Sequence, residues 1–244
     1  MIPCRKRPAS RRIAGWGVCM RVDLMRGGIL GTLGLSLVVG TQQVQACDLA
    51  LVLAVDVSAS ISPTEYDLQM RGLADALLDP EISEALQANQ AALTLVQWSG
   101  SSRQVVSIDW RRVLSEADMA GFSEMVNNTD RAWQIYSTAV GEALLFSDAL
   151  FAEVPDCLRR VIDVSGDGLS NEGLKAHKAR DEVVSRGTTI NGLAIETSIS
   201  GLTRYFEDAV TGGPGAFVET AETYASYPEA IRRKLLREVI KPAF

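Results

Sequence analysis

The fold of this chain is decided by one stretch, Leu49-Ala-Leu-Val-Leu-Ala-Val-Asp56-Val-Ser58-Ala-Ser60. Its seven consecutive apolar residues are too few to span a membrane and are typical of a β-strand that is buried on both faces. The strand runs into an aspartate and two serines at every second position. Because alternate residues of an extended chain point to the same side, these three oxygen-bearing side chains can converge at the carboxyl end of the strand.

A helix is predicted to follow directly. Ser62 is a candidate N-cap, Pro63 stands at the first helical position, and Glu65 completes a capping box. The unit is therefore a strand, an oxygen-rich loop and a helix. In open α/β sheets, ligands bind at this place, outside the carboxyl ends of the strands.

The rest of the chain alternates predicted strands with predicted helices. The strands are expected at residues 49–55, 91–98, 104–110, 158–164, 188–195 and 216–219. The helices are expected at residues 63–78, 115–126, 139–152, 172–186, 202–210 and about 226–240, with a short helical segment after residue 80. This alternation predicts an α/β fold, a doubly wound and mostly parallel six-stranded sheet with helices on both faces. The more polar third strand is expected at an edge.

Two later stretches supply further oxygen-bearing side chains, at the start of a helix and at the end of a strand. In Ile135-Tyr-Ser-Thr138-Ala-Val-Gly141, a threonine opens a predicted helix and a glycine follows three residues later. In Val161-Ile-Asp-Val-Ser-Gly-Asp167-Gly168, a buried strand runs into Asp-Gly. An ordinary helix N-cap is the alternative interpretation of Thr138.

Together with Asp56-x-Ser58-x-Ser60, these motifs resemble the metal-ion-dependent adhesion site of von Willebrand factor A domains. Over about residues 48–240, the chain is identified as a member of the exported bacterial kind of these proteins, in a branch whose domain has no known function. Two positions depart from the family's pattern. Gly166 precedes the aspartate where Thr or Ser is commoner, and Asp163 lies inside the strand, where we expect a buried, hydrogen-bonded acid.

The resemblance implies a topology and a metal site. The sheet order would be 3-2-1-4-5-6, which places the loops after strands one and four side by side. The implied metal ligands are Asp56, Ser58, Ser60, Thr138 and Asp167. Ligands that offer only oxygen select a hard cation, so we expect Mg²⁺, with Mn²⁺ or Ca²⁺ able to substitute. One coordination position would stay open for an Asp or Glu carboxylate of a partner protein.

Residues 1–46 differ in composition from the rest of the chain. Seven Lys and Arg residues stand against one acid in residues 1–26, followed by an apolar, Gly-rich run at 27–40 and by Val44-Gln45-Ala46. This order predicts a secretory signal peptide and leaves a von Willebrand factor A-like domain at residues 47–244, exported to the periplasm. An uncleaved anchor is the alternative, although 14 residues are short for a membrane span.

The charge balance of the predicted domain limits its partners. Without residues 1–46 the chain keeps 17 bases and 29 acids, a net charge near −12. Such an acidic domain argues against a nucleic acid or an anionic membrane surface as partner. We also expect no stable membrane span in the mature chain.

Two cysteines, Cys47 and Cys157, remain in the predicted domain. A cysteine pair in an exported protein is a disulfide candidate. Cys47 precedes Asp56 by nine residues and Cys157 precedes Asp167 by ten. If the two strands are parallel neighbours with the aspartates level, the cysteines are near enough to bond. A lipidated first residue is the alternative role of Cys47.

The sequence favours a binding protein over an enzyme. The single histidine, His177, lies in a predicted helix among basic residues, and no G-x-S-x-G, P-loop or H-E-x-x-H motif is found. We therefore expect a metal-dependent, adhesion-type protein-binding module and no catalysis. Trp133 and Tyr136 are candidates for a partner-contact rim, because aromatic residues recur at interface hot spots. The alternative is a metal-assisted hydrolase of an anionic or phosphate-bearing substrate.

The last helix is predicted to be amphipathic. Tyr227, Ile231, Leu235 and Val239 recur every fourth residue and mark its apolar face. By resemblance, this helix is a candidate switch between two positions. Five charged residues are expected mostly in water: Arg232, Arg233, Lys234, Arg237 and Glu238.

Overall fold

The computed structural model describes residues 47–197 and 199–240. The predicted signal peptide at residues 1–46 lies outside the described residues, so it stays a prediction. In the described part of the chain, no helix combines the length and the apolar character that a membrane crossing requires.

A six-stranded sheet lies at the centre of the fold. Its strands are β1 (Leu49–Asp56), β2 (Ala92–Trp98), β3 (Gln104–Arg112), β4 (Arg159–Gly166), β5 (Thr189–Ile195) and β6 (Val218–Ala221). The order is β3-β2-β1-β4-β5-β6, and all neighbouring strands are parallel except β2 and β3. This confirms the doubly wound fold, the sheet order and the edge position of the third strand.

Helices cover both faces of the sheet. They are α1 (Pro63–Leu77), α2 (Pro80–Ala88), α3 (Glu116–Asn127), α4 (Val140–Ala149), α5 (Ala176–Ser185), α6 (Leu202–Tyr205) and α7 (Tyr227–Val239). Short helical turns follow α4 at Leu150–Glu153, extend α6 through Phe206–Val210 and precede α7 at Tyr224–Ser226. Alternate residues of the fully buried β1 enter two separate apolar clusters, one on each face. Burial on both faces explains why β1 has no polar residue before Asp56.

Two predicted boundaries shift for local reasons. The helix predicted from residue 172 begins at Ala176, because Gly173 has a φ of +73°, outside the helical region. The last strand, predicted from residue 216, begins at Val218, after a turn in which Gly215 has a φ of +71°. The predicted capping box of α1 is confirmed: Ser62 Oγ accepts from Glu65 N, and Ser62 N donates to Glu65 Oε2.

Cys47 and Cys157 are joined by a disulfide, as the sequence predicts. Leu49 stands opposite Arg159 in the parallel β1–β4 pair, so the two cysteines, each two residues earlier, are level. The same register places Asp56 opposite Gly166, and Asp167 one residue further on. The cysteines are therefore aligned and the aspartates are offset by one.

Removing the disulfide should lower the free energy of unfolding. The bond closes a loop with a sequence separation of 110 residues, worth about 4–5 kcal/mol in the chain-entropy account of disulfides. We expect this loss in urea unfolding of the Cys47→Ala/Cys157→Ala double variant compared with the oxidised protein. Mg²⁺ affinity, measured in the same preparation, should not change. A loss below about 1 kcal/mol would contradict the prediction.

The last helix is buried more deeply than predicted. Lys234 is fully buried and Glu238 is 4% exposed, so the expectation that these two residues lie mostly in water is wrong. Lys234 Nζ lies 2.5 Å from Asp163 Oδ1 on β4 and 2.6 Å from Glu238 Oε1. The helical period puts residues 227, 231, 234 and 238 on one stripe, and the unusual acid inside β4 supplies the countercharge. The three arginines of α7 are solvent-exposed as predicted.

Candidate metal centre

Asp56, the last residue of β1, is completely buried at the carboxyl edge of the sheet. Its Oδ1 accepts a hydrogen bond of 2.7 Å from Ser58 N, which shapes the turn after the strand. Its Oδ2 is buried and has no hydrogen-bond partner among the described residues. A buried carboxylate oxygen without a partner is costly, and a bound cation would remove that cost.

The loop after β1 contacts the loop after β4 through its serines. Ser58 Oγ and Ser60 Oγ lie 3.4 Å apart, and Ser60 Oγ donates a hydrogen bond of 2.6 Å to Asp167 Oδ1. Because β1 and β4 are parallel neighbours, their carboxyl ends meet at the same edge. Four of the five predicted ligands, Asp56, Ser58, Ser60 and Asp167, therefore lie together.

Thr138 completes the group, and its hydroxyl does not cap a helix. The N-cap of α4 is Ala139, which makes no side-chain capping bond, so the N-cap interpretation of Thr138 is wrong. Instead, the Thr138 backbone is fixed by Asn171: Thr138 N donates to Asn171 Oδ1, and Asn171 N donates to Thr138 O, each at 2.9 Å. A Cβ atom built on Gly168 would lie 3.6 Å from Thr138 Oγ1. The Thr138 hydroxyl thus faces the Asp167-Gly168 turn.

Gly166, which departs from the family's pattern, stands at a crowded position. A Cβ atom built on Gly166 would lie 3.1 Å from Asp56 Oδ2 and 3.5 Å from the Trp98 ring. A Thr or Ser at this position would crowd the carboxylate oxygen that lacks a partner. In this chain, glycine leaves space beside Asp56 that the large Trp98 side chain on β2 partly fills.

The electrostatics of the site favour binding of a cation. Burial, and then the nearby charge of Asp167, raise the pKa of Asp56 from its usual value of 3.8 to about 7. Burial also raises the pKa of Asp167, although the hydrogen bond from Ser60 opposes this shift. Both carboxylates are thus poorly stabilised in their charged form. A divalent cation between them would supply the missing stabilisation.

The donor set fits a hard cation. The described residues contain no group of three or more His, Cys, Asp and Glu side chains suited to a metal. A metal here would therefore rely on hydroxyl oxygens as well as on the two carboxylates. Carboxylates and hydroxyls with no nitrogen or sulfur suit Mg²⁺, Mn²⁺ or Ca²⁺.

Two supporting residues are not found by the sequence motifs. Arg131, in the loop before α4, donates from Nη2 to Val57 O and Ser58 O at 3.1 and 2.8 Å and lowers the pKa of Asp56 in opposition to burial. Tyr224, just before α7, is buried, and its pKa is raised by burial and by the charge of Asp167. Both come from connecting segments that are distant in sequence from the motifs, where one arginine or tyrosine carries no recognisable pattern.

The surface around the site is partly apolar. Tyr136 is 38% exposed, the Arg103 guanidinium lies 4.3 Å from its ring centroid, and Tyr136 O accepts from Ala59 N in the metal loop. Trp133, the other predicted rim residue, is half-buried and packs against the core. Ile135 and Leu169 are 80% and 43% exposed and offer more apolar surface than Trp133. The single histidine, His177, is exposed on α5, as expected of a solvated helix face.

A protein-family model described as "Protein of unknown function (DUF1194)" matches residues 46–243. The chain belongs to this family. No curated protein matches the sequence of this DUF1194 chain.

Several solved structures have a fold similar to that of this DUF1194 chain. A von Willebrand factor type A protein from Catenulispora acidiphila is 17% identical, with a TM-score of 0.58 over 78% of this chain and 42% of that one. Proximal thread matrix protein 1 from the mussel byssus, with a zinc-occupied MIDAS motif, is 16% identical, with a TM-score of 0.58 over 79% and 46%. BatB from Bacteroides thetaiotaomicron is 14% identical, with a TM-score of 0.57 over 78% and 98%. This DUF1194 chain therefore has a von Willebrand factor A-like fold and spans less than half of the mussel protein.

Proposed function

We propose that this chain is an exported, metal-dependent protein-binding module and not an enzyme. Its divalent cation, Mg²⁺ with Mn²⁺ or Ca²⁺ as substitutes, is completed by an Asp or Glu carboxylate of a partner protein. One observation carries the proposal. Asp56 Oδ2 is buried and has no hydrogen-bond partner among the described residues, and it lies near Asp167 and near the hydroxyl groups of the two neighbouring loops. The proposed ligands are Asp56, Ser58, Ser60, Thr138 and Asp167.

The chain's own residues prepare this site. The Ser60–Asp167 hydrogen bond holds the loops of β1 and β4 together, and Asn171 fixes the backbone of Thr138. The bound cation supplies an electrophilic centre for a carboxylate. The two carboxylates balance the formal charge of a divalent ion, but the other three ligands are neutral hydroxyls and five ligands leave one octahedral position open, so an acidic partner group can bind there. Tyr136, Ile135 and Leu169 provide an apolar surface next to it.

Similar folds support the proposal in general terms. The mussel byssus protein has a zinc-occupied MIDAS motif, and another structure of similar fold is the pilus adhesin SpaC from Lactobacillus rhamnosus GG, 11% identical with a TM-score of 0.58. The first of these proteins holds a divalent metal in this kind of motif, and the second is an adhesin. The hydrolase alternative lacks a comparable observation, because the single histidine is exposed on α5.

The proposal is tested by metal-dependent capture of a partner. The immobilised protein is exposed to exported proteins from its source in Mg²⁺ and then washed with EDTA. We expect proteins that bind in Mg²⁺ and elute with EDTA, and we expect the Asp167→Ala variant to capture none of them. Asp75→Ala, which removes an exposed carboxylate on α1, is the matched control and should capture normally.

Two results would contradict the proposal. Capture that persists equally in EDTA and in Asp167→Ala would separate binding from the metal site. Turnover of a phosphoester substrate that is lost in Asp56→Ala would replace the binding module with the hydrolase.

A further inference from the structure

Tyr224 lies at the same edge of the sheet as the metal site. It follows β6 and opens the short helical turn Tyr224–Ser226 before α7. Because β4, β5 and β6 are parallel neighbours, their carboxyl ends meet at the edge where Asp167 follows β4. The fold thus brings a tyrosine to the metal centre from a segment that none of the sequence motifs includes.

The turn that carries Tyr224 is held by hydrogen bonds of its own and of the sheet. Thr223 N donates to Ser226 Oγ at 3.1 Å, and Ser226 Oγ donates to Thr223 O at 2.9 Å. Glu196 N donates to Ala221 O at 2.8 Å, which ties the end of β6 to the end of β5. The backbone that positions the tyrosine side chain is therefore tied to the sheet.

The Tyr224 side chain is enclosed by the core on the face of the sheet that α1 and α7 cover. It is 3% exposed and belongs to the same apolar cluster as Ile61, which directly follows the serines of the metal loop. Its hydroxyl oxygen is buried and has no hydrogen-bond partner within the described part of the chain. A buried hydroxyl without a partner is costly, so a residue with only a packing role would be better as phenylalanine.

The two carboxylates of the metal site act on this hydroxyl. Burial, and then the charges of Asp167 and Asp56, raise the pKa of Tyr224 far above its usual value of 10. Burial raises the pKa of Asp167, and the hydroxyl groups of Ser60 and then Tyr224 oppose that rise. The Tyr224 hydroxyl is therefore close to Asp167, although the two do not meet the geometry of a normal hydrogen bond.

Two other carboxylates near Tyr224 are less suited to accept its hydrogen bond. Asp56 Oδ2 lies toward Trp98, whose ring packs on the opposite face of the sheet. Glu65 already accepts a hydrogen bond in the capping box of α1. Asp167 is the acceptor that remains.

We propose that Tyr224 is a positioning residue of the metal centre, whose hydroxyl donates to the Asp167 carboxylate when that carboxylate holds the cation. This inference rests on the proposed metal function. Ser60 Oγ already donates to Asp167 Oδ1 at 2.6 Å, and a second donor would hold the carboxylate in one orientation. Replacing a residue that hydrogen-bonds to a metal ligand typically lowers metal affinity about 10–100-fold.

A fixed Asp167 carboxylate would favour Mg²⁺ over Ca²⁺. Mg²⁺ demands near-ideal octahedral geometry, whereas Ca²⁺ accepts more ligands in looser arrangements. Loss of the Tyr224 hydroxyl should therefore weaken Mg²⁺ binding more than Ca²⁺ binding. A residue that only supports the fold would affect both ions alike.

The test is a calorimetric titration with Mg²⁺ and with Ca²⁺ of the unmodified protein and of Tyr224→Phe. Phenylalanine keeps the aromatic ring and removes only the hydroxyl. We expect Mg²⁺ affinity to fall at least about tenfold. We expect Ca²⁺ affinity to fall less, so that the ratio of Mg²⁺ affinity to Ca²⁺ affinity falls as well.

Urea unfolding in EDTA gives a second readout. In Tyr224→Phe, the free energy of unfolding should not fall, because the hydroxyl that is removed has no hydrogen-bond partner. Tyr66→Phe is the matched control, since Tyr66 is also buried but its hydroxyl donates to Thr129 O at 2.7 Å. The control should lose stability in EDTA and bind Mg²⁺ like the unmodified protein.

Three results would overturn the inference and leave the proposed metal function standing. The first is Mg²⁺ affinity in Tyr224→Phe equal to that in Tyr66→Phe. The second is an equal loss of Mg²⁺ and Ca²⁺ affinity in Tyr224→Phe. The third is a loss of stability in EDTA as large as that of Tyr66→Phe, which would make the Tyr224 hydroxyl a support of the fold. Absence of divalent-ion binding by the unmodified protein would instead refute the metal function and this inference together.

Discussion

Replacement of Lys234 by methionine should lower the free energy of unfolding by about 3–5 kcal/mol, the usual cost of breaking a buried ion pair. Lys234 is fully buried, and its Nζ contacts Asp163 Oδ1 and Glu238 Oε1. Methionine keeps the length of the side chain but removes the charge. Asp163, which is 3% exposed, would then be a buried carboxylate without a countercharge.

Urea unfolding of a small set of variants measures this effect. Arg232→Met is the matched control, because Arg232 pairs with Asp79 at 2.6 Å but is 45% exposed, and exposed pairs contribute only about 0–1 kcal/mol. The double variant Lys234→Met/Asp163→Asn should recover part of the loss, since it removes the uncompensated charge as well. A loss in Lys234→Met no larger than in Arg232→Met would show that the buried cluster does not stabilise α7 on the sheet.

The buried cluster also marks where prediction from sequence stops. The period of α7 identifies its apolar stripe, and the strand pattern shows that Asp163 is buried. Joining the two requires knowing that residue 234 of α7 faces β4, a contact between residues 71 positions apart. Charge type alone does not distinguish Lys234 from the neighbouring arginines. The fold, by contrast, follows from local patterns, because buried parallel strands and capped helices are each recognisable within a few residues.

The candidate metal site also has a part that the sequence predicts and a part that it does not. Four of its predicted ligands, Asp56, Ser58, Ser60 and Asp167, follow two parallel strands, so a correct strand order is enough to bring these four together. Thr138 is held by Asn171 in a loop before α4, and strand order does not place it. Two supporting residues, Arg131 and Asn171, lie in irregular loops, and Tyr224 opens the short helical turn before α7. The paths of these connections depend on packing. The role of Gly166 likewise needed the position of Trp98 on the neighbouring strand. Loop geometry therefore accounts for most of what the sequence leaves open.

Replacement of Asp56 by asparagine should abolish Mg²⁺ binding and, in metal-free protein, increase stability at high pH. The pKa of Asp56 is raised from 3.8 to about 7, mainly by burial and then by Asp167. The folded state therefore binds the Asp56 proton more tightly than the unfolded state does. The resulting stability is fully present below about pH 4 and is lost as the pH rises through about 7. Asparagine has a similar shape but no titrating charge, so it avoids this loss.

The pKa shift sets the size of the effect. One pKa unit corresponds to about 1.4 kcal/mol, so ionisation of Asp56 costs up to about 4 kcal/mol above pH 7, of which about 2–3 kcal/mol develops between pH 5 and pH 8. In EDTA, the free energy of unfolding of Asp56→Asn should therefore gain about 2–3 kcal/mol relative to the unmodified protein between pH 5 and pH 8. Asp75→Asn, which changes an exposed carboxylate on α1, should show no such growth.

In Mg²⁺, we expect the unmodified protein to gain stability and Asp56→Asn to gain none. In the unmodified protein at pH 8, the cation replaces the proton at Asp56, so saturating Mg²⁺ should raise the unfolding temperature. Its affinity should fall as the pH drops below about 7 and the proton competes. Asp56→Asn should show neither response. Urea unfolding at pH 5 and pH 8, in EDTA and in Mg²⁺, measures both effects. An equal rise in unfolding temperature for the two proteins in Mg²⁺ would place the cation elsewhere, because the asparagine side chain carries no charge to hold it.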